Sequence, residues 1–405
     1  MTSIALSSSL RSAPPERTLE RAKRLAASLG ITRVTDITRL DRVGVPVYAS
    51  IRPGAAKGSL CVNAGKGLRP IEAEVGAYME AIEFALAEPG ASGVTTVRAR
   101  ARDVLDGRRR AEAILDLCPR MGETVRLDAP LDCALAEDVV TGARVLVPAE
   151  LVFLPYRPTP RFRGLFGTSS NGLASGNTVR EATVHGLCEL IERDVKSFES
   201  VKDTSVPVDL TTVTGDAATL VRTIEEAGLE VYVRYAKNAF DVPYFVATIH
   251  DPDACAPHLL NGGFGCHPHR SVAFVRAVAE AAQSRLSFIH GGRDDLVNLH
   301  ARYRGWSRTR KRAFVERVVG EAAAGAKVPY TETSDHAASI RTIEACEAFV
   351  MERLAANGMR RVLRVCFSAP TDELSVVRVI VPRMELFTET LTRIGPRLRD
   401  FARAS

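Results

Sequence analysis

Residues 171–194 read NGLASGNTVREATVHGLCELIERD, a glycine-bearing turn followed by a helix that we predict over 179–199. The helix carries Glu181, Glu189 and Glu192, which are separated by eight and then three residues. At about 100° per residue, these offsets place the three carboxylates in one narrow stripe of the helix surface. Like charges in one stripe repel each other, and the flanking positions are apolar, so we expect a cation or another counter-charge against the stripe.

A second stripe of the same spacing lies on the helix predicted over 70–87, which follows a glycine turn at 65–67. Its carboxylates are Glu72, Glu80 and Glu83. A third helix, predicted over 272–288 after the turn at 263–265, carries Glu280, Gln283 and Arg285. Hard divalent ions such as Mg²⁺ take oxygen ligands and usually keep a phosphate in their coordination shell. The three acidic helices therefore predict a Mg²⁺–nucleotide site, whereas solvated faces rich in glutamate are the alternative.

The composition is that of a globular chain, with 405 residues of which 46% are hydrophobic and 25% are charged. These values exclude wholesale disorder, and no apolar run approaches the ~18 residues of a membrane helix. The first residues have too short an apolar core for a secretion signal, so we expect a cytoplasmic protein without a membrane partner. The eight cysteines include no CxxC pair, which favours free thiols over disulfides or a zinc site.

Helical and strand patterns alternate along the chain and predict a mixed α/β (α+β) fold. We predict an N-terminal helix and strands over 1–60, a core domain over 61–385 and a C-terminal helix or tail over 386–405. Further expected elements are a helix over 109–116, a buried strand over 145–154, loops over 164–178 and 261–270, and a final helix near 385–403.

The common nucleotide-binding motifs are missing from the sequence. The turn at 65–67 is followed by Leu68 instead of the hydroxyl residue of a P-loop, and the turn at 263–265 does not continue as GxGxxG. A nucleotide would therefore be bound outside these architectures. Residues 302–312 are strongly basic and could bind an acidic peptide or a nucleic acid, although a solvated face is the default interpretation. We rank nucleic acid low among the partners.

Three segments closely resemble the YcaO family, namely 64–83 (AGKGLRPIEAEVGAYMEAIE), 171–194 and 263–295. The resemblance extends over roughly residues 10–385, and its most specific motifs are E-x-x-E-R ending at Arg193 and E-x-x-Q-x-R ending at Arg285. It implies a YcaO-type fold with glycine-turn and acidic-helix units repeated around a buried nucleotide site. It also implies an enzyme that uses ATP and Mg²⁺ to phosphorylate the oxygen of a peptide backbone amide, after which a nucleophile displaces phosphate.

The resemblance also assigns site residues position by position. The Mg²⁺ ligands that it implies are Glu80, Glu83, Glu189 and Glu192. The ATP-contacting residues are Arg11, Thr18, Asn177, Glu181, Arg193, Gln283 and Arg285, and the catalytic set is Glu189, Glu192, Arg193 and Glu280. This chain departs from the family at Gly76 and His185, where serine is common, and at Phe84, which replaces an arginine.

The nucleophile separates the subtypes of the family. A neighbouring side chain gives an azoline, sulfide gives a thioamide and an amine gives an amidine. Azoline-forming members often end in a P-x-P-x-P tail, whereas this chain ends RIGPRLRDFARAS with the single proline Pro396. We therefore expect residues 397–405 to be dispensable for the chemistry. The stretch 30–53 (GITRVTDITRLDRVGVPVYASIRP) resembles stand-alone members that occur with TfuA-type partners and are associated with thioamide formation.

We accordingly expect thioamidation of a ribosomally made peptide or a protein, with a TfuA-like partner that delivers sulfur. Because no leader-binding domain is recognised at either end, recognition of the substrate is expected to need a separate protein. The alternatives are an azoline-forming cyclodehydratase or an amidine-forming enzyme with such a partner, and, more remotely, a non-catalytic nucleotide-binding protein. The resemblance also makes a homodimer possible.

Overall fold

A computed structural model describes residues 4–6, 9–105, 111–159, 164–296, 302–388 and 391–405 of the chain. The strands are β1 (Ile4–Leu6), β2 (Ser9–Arg11), β3 (Arg33–Asp36), β4 (Val47–Ile51), β5 (Val62–Lys66), β6 (Val97–Arg100), β7 (Pro130–Asp138), β8 (Arg144–Pro148), β9 (Leu173–Gly176), β10 (Val206–Asp209), β11 (Glu230–Tyr235), β12 (Tyr244–His250), β13 (Asn261–Cys266), β14 (Val328–Pro329), β15 (Leu363–Cys366), β16 (Ser375–Ile380), β17 (Leu386–Phe387) and β18 (Thr392–Arg393). The α-helices are α1 (Pro15–Ala26), α2 (Pro70–Leu86), α3 (Val179–Glu199), α4 (Gly215–Glu226), α5 (Arg270–His290), α6 (Arg308–Ala323), α7 (Ile343–Ala356) and α8 (Pro396–Ala404). The predicted mixed α/β class is confirmed.

The chain divides into two compact units. Unit 1 comprises Met1–Ala55, Leu60–Ile82 and Thr204–Thr342, and unit 2 comprises Ala56–Ser59, Glu83–Asp203 and Ile343–Ser405. These units differ from the predicted segments 1–60, 61–385 and 386–405, and that division stays a prediction. None of the described helices combines the length and the apolar character that crossing a bilayer requires.

Unit 1 contains a five-stranded sheet in the order β13-β12-β11-β10-β14 and a three-stranded sheet in the order β3-β4-β5. The neighbouring strands are antiparallel except for the parallel pair β10–β14. Helix α5 packs on β12 and β13, where the rings of Phe245 and Phe274 meet edge to face with their centroids 5.5 Å apart. Both side chains are fully buried, so the core of unit 1 holds α5 in a fixed position against the sheet.

Unit 2 is built on a sheet in the order β6-β7-β15-β16-β9, with β8 paired to β7. Every residue of β16 is buried, as is every residue of β9. Helix α3 packs on these two strands. The sheet of unit 2 therefore fixes the position of α3, the helix that carries the carboxylates of Glu181, Glu189 and Glu192.

Several predicted elements are wrong in part. The predicted loops 164–178 and 261–270 contain the strands β9 and β13, whose glycine content mimics a loop. A Cβ on Gly263 would collide with the backbone O of Ala277 and the backbone N of Ala281, so glycine is required there for α5 to approach the strand.

The other corrections concern the type or the bounds of a predicted element. The predicted strand 145–154 ends at Pro148 and continues as a short 3-10 helix. The predicted helix 109–116 is a 3-10 helix over Ala111–Leu117, and positions 109 and 110 lie outside the described residues. The predicted final helix near 385–403 is preceded by the β17–β18 hairpin and starts at Pro396, since proline favours the first helical position.

Candidate functional site

In unit 1, Glu80 of α2 lies against strand β5. Its Oε2 atom accepts a hydrogen bond from the backbone N–H of Ala64 at 3.0 Å. Burial raises the pKa of Glu80 above its ordinary value, and the nearby cations Arg293 and Lys66 oppose that rise. The Nζ atom of Lys66 also lies 2.9 Å from Oε2 of Glu280. Two carboxylates and two cations therefore share one partly buried cluster, a pattern that suits an anionic ligand accompanied by a metal ion.

Gln283 and Arg285 extend this cluster along α5. The Gln283 amide donates to the backbone O of Ala64 at 2.5 Å. Arg285 is buried, with its Nε 2.6 Å from Asp41 and its Nη2 3.2 Å from Asp251. Its Nη1 has no hydrogen-bond partner among the described residues. Arg285 thus retains one buried donor, which is the kind of group that a phosphate oxygen would satisfy. The ATP contacts of Gln283 and Arg285 stay predictions.

The N-terminal ATP contacts were predicted at Arg11 and Thr18. Thr18 is buried on α1, and its hydroxyl donates to the backbone O of Pro14 at 3.3 Å. Burial lowers the pKa of His267 well below its ordinary value, and Arg11 is one of the cations close enough to add to that effect. The structure thus places Arg11 near the turn that precedes α5, and both assignments stay predictions.

In unit 2, a buried arginine lies near the carboxylates of Glu83 and Glu189. Arg378 of β16 is 1% exposed, and its pKa is lowered to about 10 because burial outweighs the opposing effects of these two glutamates. The Ser175 hydroxyl donates to Oε1 of Glu83 at 2.5 Å. The structure therefore brings two predicted Mg²⁺ ligands into the field of one buried positive charge.

The guanidinium of Arg378 is fixed by backbone oxygens. Its Nε donates to Val152 at 3.1 Å, and its Nη1 donates to Ser169 and Asn171 at 3.0 and 2.9 Å. Its Nη2 has no hydrogen-bond partner among the described residues. A buried guanidinium donor without a partner is costly, so this atom marks a place where an acceptor is expected.

The start of α3 brings together two predicted nucleotide contacts. Thr178 caps the helix, because its hydroxyl oxygen accepts from the backbone N–H of Glu181 at 3.1 Å. The Asn177 amide nitrogen lies 3.3 and 3.4 Å from the two carboxylate oxygens of Glu181. A Cβ on Gly176 would lie 2.8 Å from the backbone N of Ala182, so the strand can approach the helix start only with glycine at this position.

Further along α3, Glu192 is buried, and Nη2 of Arg193 lies 3.5 Å from its Oε1. The next residue, Asp194, is 1% exposed on its side chain and pairs with Arg397 of α8 through both carboxylate oxygens, at 2.6 and 3.1 Å. Asp194 also accepts the backbone N–H of Glu385 at 2.8 Å. The C-terminal helix is therefore attached to α3 directly beside the predicted catalytic residue Arg193.

The side chains in this part of unit 2 fit ATP and Mg²⁺ by their chemistry. The carboxylates of Glu83, Glu189 and Glu192 are oxygen ligands of the type that Mg²⁺ prefers. Among the described residues, no three acidic, histidine or cysteine side chains form a complete metal centre on their own. A Mg²⁺ ion that takes further oxygens from phosphate and water needs no such cage. The unsatisfied donor of Arg378 adds a buried positive group.

Four residues that the sequence analysis did not assign to the site belong to these clusters. They are Lys66, Ser175, Arg293 and Arg378. Only Arg378 could have been recognised from the sequence, because it is a single arginine within the apolar strand sequence SVVRVI. A charge in a strand that is otherwise buried requires nearby partners. The other three residues carry no local pattern that separates them from surface lysine, serine and arginine.

Comparison with known proteins identifies the family. The family described as "YcaO cyclodehydratase, ATP-ad Mg2+-binding" matches residues 64–385. An uncharacterized protein of Methanothermobacter thermautotrophicus is 34% identical over 393 residues, which cover 95% of this chain and 98% of that protein. A Rhizobium leguminosarum bv. trifolii protein, described as uncharacterized and in the tfuA 3′ region, is 34% identical over 93% of this chain and 89% of its own length.

A solved structure shows the same fold. The YcaO protein of Methanopyrus kandleri, bound with AMPPCP and Mg²⁺, superposes with a TM-score of 0.75 at 24% identity, covering 98% of this chain and 99% of that one. The chain belongs to the YcaO family, whose cofactors are ATP and Mg²⁺.

Proposed function

We propose that this protein uses ATP and Mg²⁺ to activate a backbone amide of a peptide and that sulfide then converts the amide to a thioamide. In this proposal a TfuA-like partner protein delivers the sulfur. The observation that carries the thioamide assignment is the relative in the tfuA 3′ region, which is similar over 93% of this chain. The amide chemistry rests on membership of the YcaO family and on the retained acidic motifs.

The proposed reaction has two balanced steps. The amide oxygen attacks the γ-phosphorus of ATP, and the bond to the bridging oxygen breaks to release ADP. Sulfide then adds to the amide carbon, and the former amide oxygen leaves as phosphate, so that sulfur replaces oxygen. Neither step requires an oxidant or a reductant. Phosphoryl transfer depends mainly on positioning and on stabilisation of charge, which carboxylates, arginines and a divalent ion supply.

The residues of unit 2 have separate roles in this proposal. Glu83, Glu189 and Glu192 would hold Mg²⁺, which when bound neutralises charge on the phosphate oxygens. Asn177 and Glu181 would contact the nucleotide, and Arg193 would contact a phosphate oxygen. Ser175 orients Glu83 through its 2.5 Å hydrogen bond. The roles in unit 1 are those that the family motifs predict. Glu80 would hold Mg²⁺ and Glu280 would be catalytic. ATP would be contacted by Gln283 and Arg285.

The test is mass spectrometry of a precursor peptide encoded beside the gene. The peptide is incubated with this protein, ATP, Mg²⁺ and sulfide, with and without a neighbouring TfuA-like protein. Replacement of one oxygen by sulfur that depends on ATP supports the proposal. The control is the Glu189→Gln variant, which should leave the peptide mass unchanged.

A second candidate is azoline formation, which the family description "cyclodehydratase" favours. In that reaction a neighbouring cysteine, serine or threonine side chain attacks the activated amide carbon, and the net change in the peptide is the loss of one water. The same incubation separates the two candidates, because loss of water without gain of sulfur would replace thioamidation by cyclodehydration. An amidine would instead show incorporation of an amine.

A further inference from the structure

A compact group of cations lies at the start of α6. We call it the basic patch and define it as Arg302, Arg304, Arg308, Arg310, Lys311 and Arg312. The interval 302–312 contains no acidic residue, so the patch carries as much positive charge as the net +6 of the whole chain. Apart from Lys311, these side chains belong to exposed positions. All of them lie within unit 1.

This charge distribution is unfavourable for the isolated protein in two ways. Cations three and four positions apart on a helix repel each other, and Arg308 is four positions before Arg312. The N-terminus of a helix carries a partial positive charge, yet the first turn of α6 has no acidic residue. Across the part of the chain that the structure describes, Arg304 and Lys311 form no ion pair that would offset the repulsion.

The patch is nevertheless fixed in place by an aromatic cluster. The ring centroid of Trp306 lies 5.1 Å from that of Tyr303 and 5.6 Å from that of Phe314, both edge to face. The guanidinium of Arg310 stacks 4.0 Å above the Trp306 ring. Ser307 caps the helix, since its hydroxyl oxygen accepts from the Arg310 backbone N–H at 3.2 Å. Packing therefore holds together cations whose mutual repulsion would separate them.

We propose that the basic patch docks an acidic segment of the peptide substrate. An anionic segment would relieve both the repulsion between the cations and their conflict with the helix dipole. The choice of a peptide rests on the proposed function, in which the modified amide belongs to a polypeptide. Because the patch has six cations, the segment that it binds is expected to contain a short run of Asp or Glu.

The geometry disfavours a nucleic acid as the occupant. Non-specific binding of single strands uses exposed aromatic faces on which bases stack, but Arg310 already covers the ring of Trp306. Along α6 the patch is followed by carboxylates at Glu316 and Glu321, the latter 2.8 Å from Arg317. A phosphate backbone that followed the helix would meet these negative charges. A short acidic peptide ends before it reaches them.

The test uses the intrinsic fluorescence of Trp306, which is the only tryptophan of the chain. A synthetic oligo-glutamate peptide is titrated into the full-length protein without ATP, so the measurement does not depend on turnover. The triple variant R304Q/R308Q/R312Q is compared with R222Q/K237Q/K327Q, which removes three exposed cations elsewhere in unit 1. We expect binding to be about tenfold weaker in the first variant and unchanged in the second. Raising the salt from about 0.05 M to about 0.3 M should weaken the wild-type complex.

Three outcomes would overturn the proposal. They are equal affinities of the two triple variants, tighter binding of a single-stranded oligonucleotide of matched charge, and failure of the authentic precursor peptide to compete with oligo-glutamate. The variant R304K/R308K/R312K keeps the charge and should bind like the wild type, which separates loss of charge from misfolding. If oligo-glutamate binds as expected but the precursor gains no sulfur, thioamidation fails while the docking surface stands.

Discussion

The pair between Asp194 and Arg397 allows a quantitative prediction. The Asp194 side chain is 1% exposed and its two oxygens contact the Arg397 guanidinium at 2.6 and 3.1 Å. At about 3 Å and an effective dielectric constant of about 20, the Coulomb attraction is about 5 kcal/mol. Removal of one partner from a buried pair costs about 3–5 kcal/mol, because the other charge is left uncompensated. We therefore expect Arg397→Ala to lower the free energy of unfolding by about 3–5 kcal/mol.

The pH dependence of this loss has a defined sign. Burial raises the pKa of Asp194 above its ordinary value, and Arg397 opposes the rise. Loss of Arg397 raises that pKa further, so the folded variant holds the Asp194 proton to a higher pH than the unfolded chain does. Because the unfolded chain releases this proton near the ordinary aspartate pKa of about 4, the variant loses stability as the pH rises from there. The deficit relative to wild type is therefore largest at neutral pH and smaller in acid.

Urea unfolding at several pH values measures both effects. Arg399→Ala is the matched control, since Arg399 is an exposed arginine on the same helix and should cost less than about 0.5 kcal/mol. The double variant Asp194→Asn/Arg397→Met should be more stable than Arg397→Ala, because it leaves no unpaired buried charge. Equal stability of Arg397→Ala and Arg399→Ala at neutral pH, or a deficit that grows in acid, would show that Arg397 does not compensate a buried charge on Asp194.

Three further predictions concern the site and its support. Glu189→Gln should reduce ATP turnover at least about 100-fold by removing a proposed Mg²⁺ ligand, whereas Glu226→Gln on the exposed face of α4 should not; comparable rates would exclude the assignment. Arg378→Met removes the buried charge near Glu83 and Glu189, so Mg²⁺ should raise the melting temperature of this variant more than that of wild type, and equal shifts would contradict that view. Gly263→Ala should cost about 1–3 kcal/mol, whereas Gly262→Ala, whose added Cβ would lie 3.6 Å from the nearest atom, should cost much less; chemical denaturation compares the two.

The amphipathic helices were predictable from sequence because their pattern is local. The helix predicted over 179–199 coincides with α3, and the helix predicted over 70–87 differs from α2 by one residue. The strands β9 and β13 were missed because their glycines resemble a loop. The requirement for these glycines comes from the helix that packs on each strand, which a reading of neighbouring residues does not reveal.

Site residues that belong to the acidic motifs could be predicted from the sequence. Residues that reach the site only through the tertiary structure could not. The amide of Asn177 lies within hydrogen-bond distance of Glu181, and the nucleotide contacts of both residues stay predictions. Arg378 follows Glu189 by nearly 200 residues in sequence and enters its surroundings because helix α3 packs on strand β16. The Asp194–Arg397 pair is likewise tertiary, because Arg397 of the C-terminal segment supplies the counter-charge of a buried carboxylate on α3. That residues 397–405 are dispensable for the chemistry stays a prediction.

The central claim is that the amide oxygen is activated by phosphorylation, and an isotope experiment tests it most directly. A precursor peptide with oxygen-18 in its backbone amides is incubated with the protein, ATP, Mg²⁺, sulfide and the TfuA-like partner. If the amide oxygen is phosphorylated, the released phosphate carries the label in proportion to the sulfur gained by the peptide. Thioamide formation with unlabelled phosphate, or turnover of ATP that leaves all of the label in the peptide, would contradict it.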